Sequence, residues 1–168
     1  MLKDNRGFSL VEMIVVVVII GIASVGVMIG FGQINKQHSD EGLNALASSL
    51  DKARYQALAK DDSCLYLYAD NWYYYSCLND DEPEKLFSTN FSIIVQNSAL
   101  IETISTEDTF DVDDLSYSPV MKVVFDKSTG KLKEIKTKNE TFTDMADIST
   151  TNGSVKLKIT RTGRVKVE

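Results

Sequence analysis

The sequence predicts an α+β protein in which one long N-terminal helix packs on an antiparallel, β-rich and sandwich-like domain. Two observations predict this class. An uncharged apolar run at residues 13–31 continues into an amphipathic helical pattern, and short alternating segments with intervening turns follow residue 63. The 168 residues have room for one membrane segment and one domain of about 130 residues, which can bury its own core.

The helix is predicted over residues 8–60. Its first half, 13–32, has the roughly 20 residues that a helix needs to span a bilayer. Lys3 and Arg6 precede this run and favour a cytoplasmic start. Beyond the run, apolar residues recur three and four positions apart, which predicts that the second half packs on the domain. A cleaved secretory signal is disfavoured, because no small-residue cleavage site follows the apolar run.

The segment 61–168 is predicted to form the β-rich domain. The sequences "DKSTGK" and "RTGR" predict hairpin turns with glycine at a positive φ angle. The polar segment 137–153 is expected to be a connection without an assigned structure. The predicted strands are 64–69, 72–77, 87–95, 100–105, 120–125, 131–137, 154–161 and 164–168.

Cys64 and Cys77 flank the predicted first hairpin. A two-residue turn at 70–71 would place them opposite each other at a non-hydrogen-bonded pair, where antiparallel strands approach most closely. A disulfide is then expected if the domain lies outside the cytoplasm. A four-residue turn would keep this pairing but change its hydrogen-bonding type. The same register places four aromatic residues on one face: Tyr66, Tyr68, Tyr73 and Tyr75.

Charge is distributed unevenly along the chain. Residues 60–120 carry thirteen acidic side chains against two lysines, a net charge of −11. Residues 121–168 carry eleven basic side chains against six acidic ones, a net charge of +5. This dipolar pattern suits contact between subunits, although surface charges also segregate along a sequence without such a role. The overall charge of −6 argues against a protein built mainly to hold nucleic acid.

The stretch "RGFSLVEM", residues 6–13, resembles the processing motif of type IV prepilins and type II secretion pseudopilins. The resemblance implies that residues 1–7 are a leader, which a prepilin peptidase removes by cleaving between Gly7 and Phe8. It also implies N-methylation of Phe8 and an assembly role for Glu12, the fifth mature residue. In that family the free amino group of a neighbouring subunit neutralises the glutamate. A carboxylate near hydrocarbon needs such a partner on physical grounds.

The segments "LNALASSLDKARYQALAKDDSCLYLY" and "LKITRTGRVKVE" are similar to parts of GspH/FimT-like pseudopilins, whose domain is a β-sandwich. Some FimT-like minor pilins bind DNA through basic residues around a terminal Gly-Arg turn. A wet strand face of alternating lysines also protects a sheet edge, and this ordinary interpretation is favoured. The candidate DNA-binding residues are Lys156, Lys158, Arg161, Arg164 and Lys166.

The sequence contains no pattern typical of a catalytic site, so we expect no enzymatic activity and no cofactor. Two thiols and the single, distant His38 do not make a metal site. The aspartates in 108–114 could attract calcium, but their spacing fits no EF-hand and a solvated loop is favoured.

The resemblance implies a structural subunit of a type IV pilus or fimbrium, or of a type II secretion pseudopilus. A minor pilin or pseudopilin is preferred to a major pilin. The expected location is the cytoplasmic membrane, crossed once, with the domain outside the cytoplasm, and the cell surface or periplasm after assembly. The expected partners are the prepilin peptidase, other subunits and the membrane. Two alternatives stay open: a DNA-binding minor pilin acting in DNA uptake, and an unprocessed, membrane-anchored receptor.

Overall fold

The computed structural model describes residues 9–59, 63–79, 82–112, 118–143, 145–151 and 153–168, without the side chains of 25–33. The described residues form one helix and eleven strands, and all strand pairs are antiparallel. The predicted α+β class is therefore confirmed. The elements are α1 (Leu10–Leu58), β1 (Cys64–Ala69), β2 (Tyr73–Leu78), β3 (Glu84–Ser88), β4 (Ile93–Gln96), β5 (Ile101–Ile104), β6 (Met121–Phe125), β7 (Leu132–Lys136), β8 (Thr141–Phe142), β9 (Ala146–Thr150), β10 (Lys156–Ile159) and β11 (Val165–Val167).

The chain divides into two compact units, an N-terminal unit (Met1–Asn35) and a C-terminal unit (Lys36–Glu168). The described part of the N-terminal unit is the first half of α1, whose apolar side chains are exposed as far as residue 22. Within the described part of the chain, no helix has both the length and the apolarity that a membrane span requires. The predicted span, 13–32, includes residues 25–32, whose side chains lie outside the described part.

The C-terminal unit contains two sheets. The first sheet has the order β3-β2-β1-β6-β7-β8, and the second has the order β11-β10-β9-β4-β5. Inward-facing side chains of both sheets belong to one hydrophobic cluster with the second half of α1. The helix contributes residues spaced alternately three and four apart, which lie on one helical face and are fully buried: Leu43, Leu46, Leu50, Ala53 and Ala57.

Polar contacts fix α1 to both sheets. Asp40 accepts hydrogen bonds from the backbone amides of Ser154 and Val155, at 2.8 and 3.0 Å, and from the Ser154 hydroxyl at 2.7 Å. These residues lie just before β10 in the second sheet. Two turns further along the helix, the Ser49 hydroxyl lies 3.1 Å from that of Ser76 in the first sheet. The second half of the helix therefore fixes the position of the two sheets relative to each other by hydrogen bonds as well as by apolar packing.

A second set of contacts joins the sheets through β5. The buried carboxylate of Glu102 accepts hydrogen bonds from the Thr137 hydroxyl and, at 3.1 Å, from the Asn139 amide. Thr137 and Asn139 lie between β7 and β8 of the first sheet. Because Glu102 belongs to the second sheet, this cluster links the layers independently of α1.

The predicted strand at 87–95 is wrong. The chain forms β3 in the first sheet and β4 in the second, and a turn at 89–92 carries it between them. The sequence pattern of one continuous strand came from buried apolar residues at odd-numbered positions: Phe87, Phe91, Ile93 and Val95. The polar residues between them form the crossing, where the Ser88 hydroxyl accepts a hydrogen bond from the Asn90 amide.

The segment 137–153, a polar connection to which the sequence analysis assigned no structure, contains β8 and β9. β9 lies in the middle of the second sheet, between β10 and β4. Its inward residues, Ala146, Ile148 and Thr150, alternate with polar outward residues. Two of these inward residues are small or polar, so the alternation gave only a weak apolar signal.

The predicted pairing of Cys64 with Cys77 is also wrong. Cys77 pairs with Tyr66, and Tyr75 pairs with Tyr68. The loop lies at 71–72 and not at 70–71, because the Asp70 amide donates to the Tyr73 carbonyl at 3.0 Å, and this change moves each pairing by two positions.

The two cysteines nevertheless lie on the same face of the first sheet, in a small cluster with Tyr66 and Tyr68. No disulfide joins Cys64 and Cys77 in this structure. They are diagonal neighbours, for which the strand geometry is less favourable to a bridge than at a directly opposed pair. The disulfide stays a prediction.

The Asp40 contact predicts a pH-dependent stability. Partial desolvation raises the pKa of Asp40, but the hydrogen bonds from Ser154 and Val155 outweigh it, so this pKa lies below its usual value. A lowered pKa in the folded state gives stability above the unfolded-state pKa, which is lost as pH falls through the folded-state pKa. We expect Asp40→Ala to lower the free energy of unfolding by about 1 kcal/mol at neutral pH, and by less in acid.

Urea denaturation followed by circular dichroism at pH 7 and at pH 3 measures both effects. Glu41→Ala is the matched control, because Glu41 is the adjacent exposed carboxylate and contacts only neighbours on its own helix, Gln37 and His38, in the described structure. Equal losses for the two variants at neutral pH would contradict the role assigned to Asp40.

Candidate functional site

The start of α1 has the geometry of a capped helix. The carbonyl oxygen of Ser9 accepts a hydrogen bond from the Met13 amide at 3.2 Å. The Ser9 hydroxyl accepts one from the Glu12 amide at 3.4 Å. Ser9 is therefore the N-cap residue, and Ser9 and Glu12 have the spacing of a capping box. Gly7 and Phe8 lie outside the described residues.

Glu12 thus has a local role that the sequence reasoning missed. Its carboxylate lies in the first turn of α1, where negative charge is favoured by the helix dipole. The signal was present in the sequence, since "SLVE" has the S-x-x-E pattern typical of a helix start. Glu12 is exposed, so in an isolated chain in water its carboxylate is hydrated and needs no cationic partner to offset a desolvation cost. Any requirement for its charge must come from an environment that removes this water.

A second candidate site is a basic groove of about 500 Å³ in the C-terminal unit. It forms where the end of α1 meets the β6–β7 and β10–β11 hairpins. Among the described residues that line it, four are cationic, three are threonines and none is acidic: Arg54, Thr129, Lys131, Thr160, Thr162, Arg164 and Lys166. Such a lining can bind an anion by charge and by hydroxyl hydrogen bonds.

Two glycine turns build this groove. Gly130 and Gly163 have positive φ angles of 61° and 76°, as the hairpin sequences predict. A Cβ atom at Gly163 would lie 1.9 Å from the carbonyl oxygen of Gly130, so only glycine permits this approach. The same carbonyl accepts a hydrogen bond from Nε of Arg54 at 3.2 Å. The helix and the two hairpins, one from each sheet, therefore meet at a single carbonyl.

Only two of the five basic residues predicted as a DNA-binding site are among the described residues that line this groove. Arg164 and Lys166 line the groove, whereas Lys156, Lys158 and Arg161 are not among its described lining residues. Nζ of Lys158 lies 3.8 Å from a carboxylate oxygen of Glu168.

The sequence reasoning on a basic site did not include Arg54 and Lys131, because they are far from the C-terminal hairpin in sequence. Two signals could have indicated them. Arg54 belongs to the Ala-Arg pair that carries the pseudopilin likeness, and Lys131 directly follows a predicted glycine turn.

The acidic segment does not gather into an ion site among its described residues. The Asp108 carboxylate accepts hydrogen bonds from the amide and hydroxyl of Ser105, which lower the pKa of Asp108. Asp111 accepts one from the Ser118 hydroxyl at 3.2 Å. The remaining aspartates of this segment, at 113 and 114, lie outside the described residues. No group of three or more potential metal ligands occurs in the part of the chain that was described.

Residues 2–28 match the family model of the prokaryotic N-terminal methylation motif. The match supports the type IV pilin or pseudopilin class, and it confirms the coarser part of the resemblance seen in "RGFSLVEM". Association with other pilin-type subunits and with a processing peptidase is what this motif implies in general. No curated protein and no solved structure matches the chain. The finer likeness to GspH/FimT pseudopilins stays a prediction.

Proposed function

We propose that this chain is a structural subunit, a minor pilin or pseudopilin, of a type IV pilus or a type II secretion pseudopilus. A prepilin peptidase removes residues 1–7 and methylates Phe8. The apolar segment 13–32 then holds the subunit in the cytoplasmic membrane, with the domain outside the cytoplasm. From this pool the subunit enters a fibre through α1. The match of residues 2–28 to the methylation motif is the observation that carries the proposal.

The start of the helix supports the proposed cleavage position. α1 begins at Leu10, and its N-cap is Ser9. Cleavage before Phe8 would leave a single residue ahead of the cap in the mature sequence, so the new charged amino group would belong to the residue four positions before Glu12. In an assembled fibre, the amino group of one subunit and the carboxylate of another can then pair at the same depth in the apolar core.

The contact between Arg54 and Gly130 supports a minor pilin or pseudopilin. The GspH/FimT likeness depends on two distant features, the Ala-Arg pair of the helix and the terminal Gly-Arg hairpin. In the structure they lie side by side, since Nε of Arg54 donates to the Gly130 carbonyl at 3.2 Å and Gly163 packs against the same carbonyl. A shared contact gives a physical reason for both features to occur in one chain.

Processing is tested by mass spectrometry of the protein extracted from membranes of cells that contain a prepilin peptidase. We expect a mature N-terminus at Phe8 with one added methyl group, because the motif places the cut between Gly7 and Phe8. The matched pair of variants is Gly7→Ile, which should leave the leader attached, and Asn5→Ala, which should be processed normally. A dominant species that still contains Met1 in the wild-type protein would remove the basis of the proposal.

DNA binding is the second candidate function, and the basic groove is the observation that favours it. Four cations line the groove, with no acidic residue among its described lining residues, and they can contact phosphate groups with an affinity that falls as salt rises. The negative charge of residues 60–120 opposes this function at long range. The structural role is therefore preferred, and DNA uptake would be an additional activity of the same subunit.

A gel-shift titration of duplex DNA with the detergent-solubilised chain tests this candidate. If the groove binds phosphates, Lys131→Ala combined with Arg164→Ala should weaken binding at low salt and reduce its salt dependence by about two phosphate contacts. Lys156→Ala with Lys158→Ala removes the same charge outside the groove and should have a smaller effect. Absence of a shift at low ionic strength, or equal effects of the two double variants, would exclude the groove as a DNA site.

A further inference from the structure

The cations of the basic groove have no carboxylate partner among the described residues, although the chain has 24 acidic residues and only 18 basic ones. The described salt bridges join His38 to Glu41 and Lys158 to Glu168, and neither involves a residue that lines the groove. Like charges repel one another, so a cluster of four cations is unfavourable without a counter-charge. An anionic group that enters the groove would offset this repulsion.

Arg54 is held in position for such a group. Its Nε donates to the Gly130 carbonyl at 3.2 Å, and no other hydrogen bond of this side chain occurs among the described residues. The terminal nitrogens of a guanidinium can bind a carboxylate through two parallel hydrogen bonds. Because the existing hydrogen bond already restricts the side chain, binding a carboxylate would cost little additional conformational entropy. The groove therefore suits a carboxylate as well as a phosphate.

Exposed carboxylates occur between β2 and β3, in an acidic connection formed by residues 82–84. Glu82, Pro83 and Glu84 are all exposed. Residues 79–84 include four acidic side chains and no basic one, although two of the four lie outside the described part of the chain. The adjacent Lys85 lies against a ring, since its Nζ is 3.2 Å from the centre of Tyr73. The acidic connection therefore presents negative charge to its surroundings.

The acidic connection and the basic groove lie on opposite sides of α1 within the C-terminal unit. On one side, Arg54 borders the groove. On the other, the Asn79 amide donates to the side-chain oxygen of Gln56 at 3.2 Å, and the Ser49 hydroxyl lies 3.4 Å from a Glu84 carboxylate oxygen. Successive helical residues are turned by about 100°, so Gln56 is turned about 200° from Arg54 and lies about 3 Å further along the axis. The two charged surfaces are therefore at a similar height along the helix.

This arrangement favours a contact between copies that lie side by side. A two-fold contact of the groove with itself would oppose cations to cations, which is unfavourable. A contact between the groove of one copy and the acidic connection of the next opposes unlike charges and leaves one surface of each kind free. Such a head-to-tail contact can be repeated, and it produces an open helical array when the rotation between copies does not close.

We propose that the basic groove binds the acidic connection of a second copy of this chain. The inference deepens the proposed function, on which it rests, because it names the surfaces through which neighbouring domains meet when subunits assemble. The groove supplies guanidinium and ammonium groups, and Glu82 and Glu84 supply the carboxylates that approach them. Because both charged surfaces belong to the C-terminal unit, the contact is additional to any contact made by the first half of α1.

The first test is carbodiimide cross-linking of the detergent-solubilised full chain, since this reagent joins a carboxylate to a lysine amine that it contacts. We expect a cross-linked dimer in which Lys131 or Lys166 is joined to Glu82 or Glu84, as read by mass spectrometry of its peptides. The yield should fall as salt rises, because exposed charge pairs are screened. A dimer linked only through other residues would overturn the inference, and so would a chain that stays monomeric at low salt.

Charge exchange is the second test, with dimer formation measured by analytical ultracentrifugation. Lys131→Glu with Arg164→Glu, and separately Glu82→Lys with Glu84→Lys, should each weaken association about tenfold, because like charges then face each other. All four changes in one chain should restore association, since the two surfaces have then exchanged their charges. The control is Lys133→Glu with Lys156→Glu, which makes the same charge change at exposed lysines outside the described lining of the groove.

Two results of the exchange would overturn the inference. One is a chain with all four changes that associates no better than the variants with two changes. The other is loss of DNA binding in the groove variant with no effect of either double variant on association, which would assign the groove to nucleic acid. The cross-link map of the wild-type chain decides the matter even where a variant fails to fold. The proposed function is tested separately on the same samples, because an N-terminal peptide that still contains Met1 would overturn it whatever the domains do.

Discussion

The burial of one helical face between two sheets is the interaction on which the C-terminal unit depends. Leu43, Leu46 and Leu50 are fully buried, and they belong to the same cluster as the inward faces of both sheets. Burying a leucine stabilises a fold by about 1.5–3 kcal/mol, so the loss of any one of them would be large beside a typical domain's net stability of about 5–15 kcal/mol. Without the helix, both sheets would expose apolar surface. Asp40, Ser49 and Arg54 add directional contacts, which fix how the helix lies on that surface.

This packing gives the helix two tasks in one continuous element. Its second half completes the core of the domain, and its first half carries the methylation motif and the capped start at Ser9. α1 is one unbroken helix from Leu10 to Leu58. Under the proposed function, the first half of α1 lies in an apolar environment. The second half packs on the domain with one face and is exposed on the other.

The sequence was informative wherever the physical signal was strong and local. The helix, the turns at Gly130 and Gly163, and most strands followed from periodicity and turn chemistry. Long-range choices were not predictable, because one alternating pattern fits one strand in one sheet or two strands in two sheets, as at 87–95. β9 was missed because its inward residues include Ala146 and Thr150, which give little apolar contrast. The groove was only half predicted, since contacts between distant residues such as Arg54 and Gly163 leave no periodic signal.

The central claim is that Glu12 is present for its charge in a fibre and not only for the start of its helix. Glu12→Gln separates these roles, because glutamine also fits a capping box but carries no charge. We predict that Glu12→Gln and Glu12→Ala insert into the membrane and are cleaved after Gly7, but that both are depleted from sheared fibres. In the fibre either variant would leave the ammonium group of a neighbouring Phe8 buried without its partner. Wild-type amounts of Glu12→Gln in those fibres, with loss of Glu12→Ala alone, would contradict the claim and leave helix capping as the reason for the glutamate.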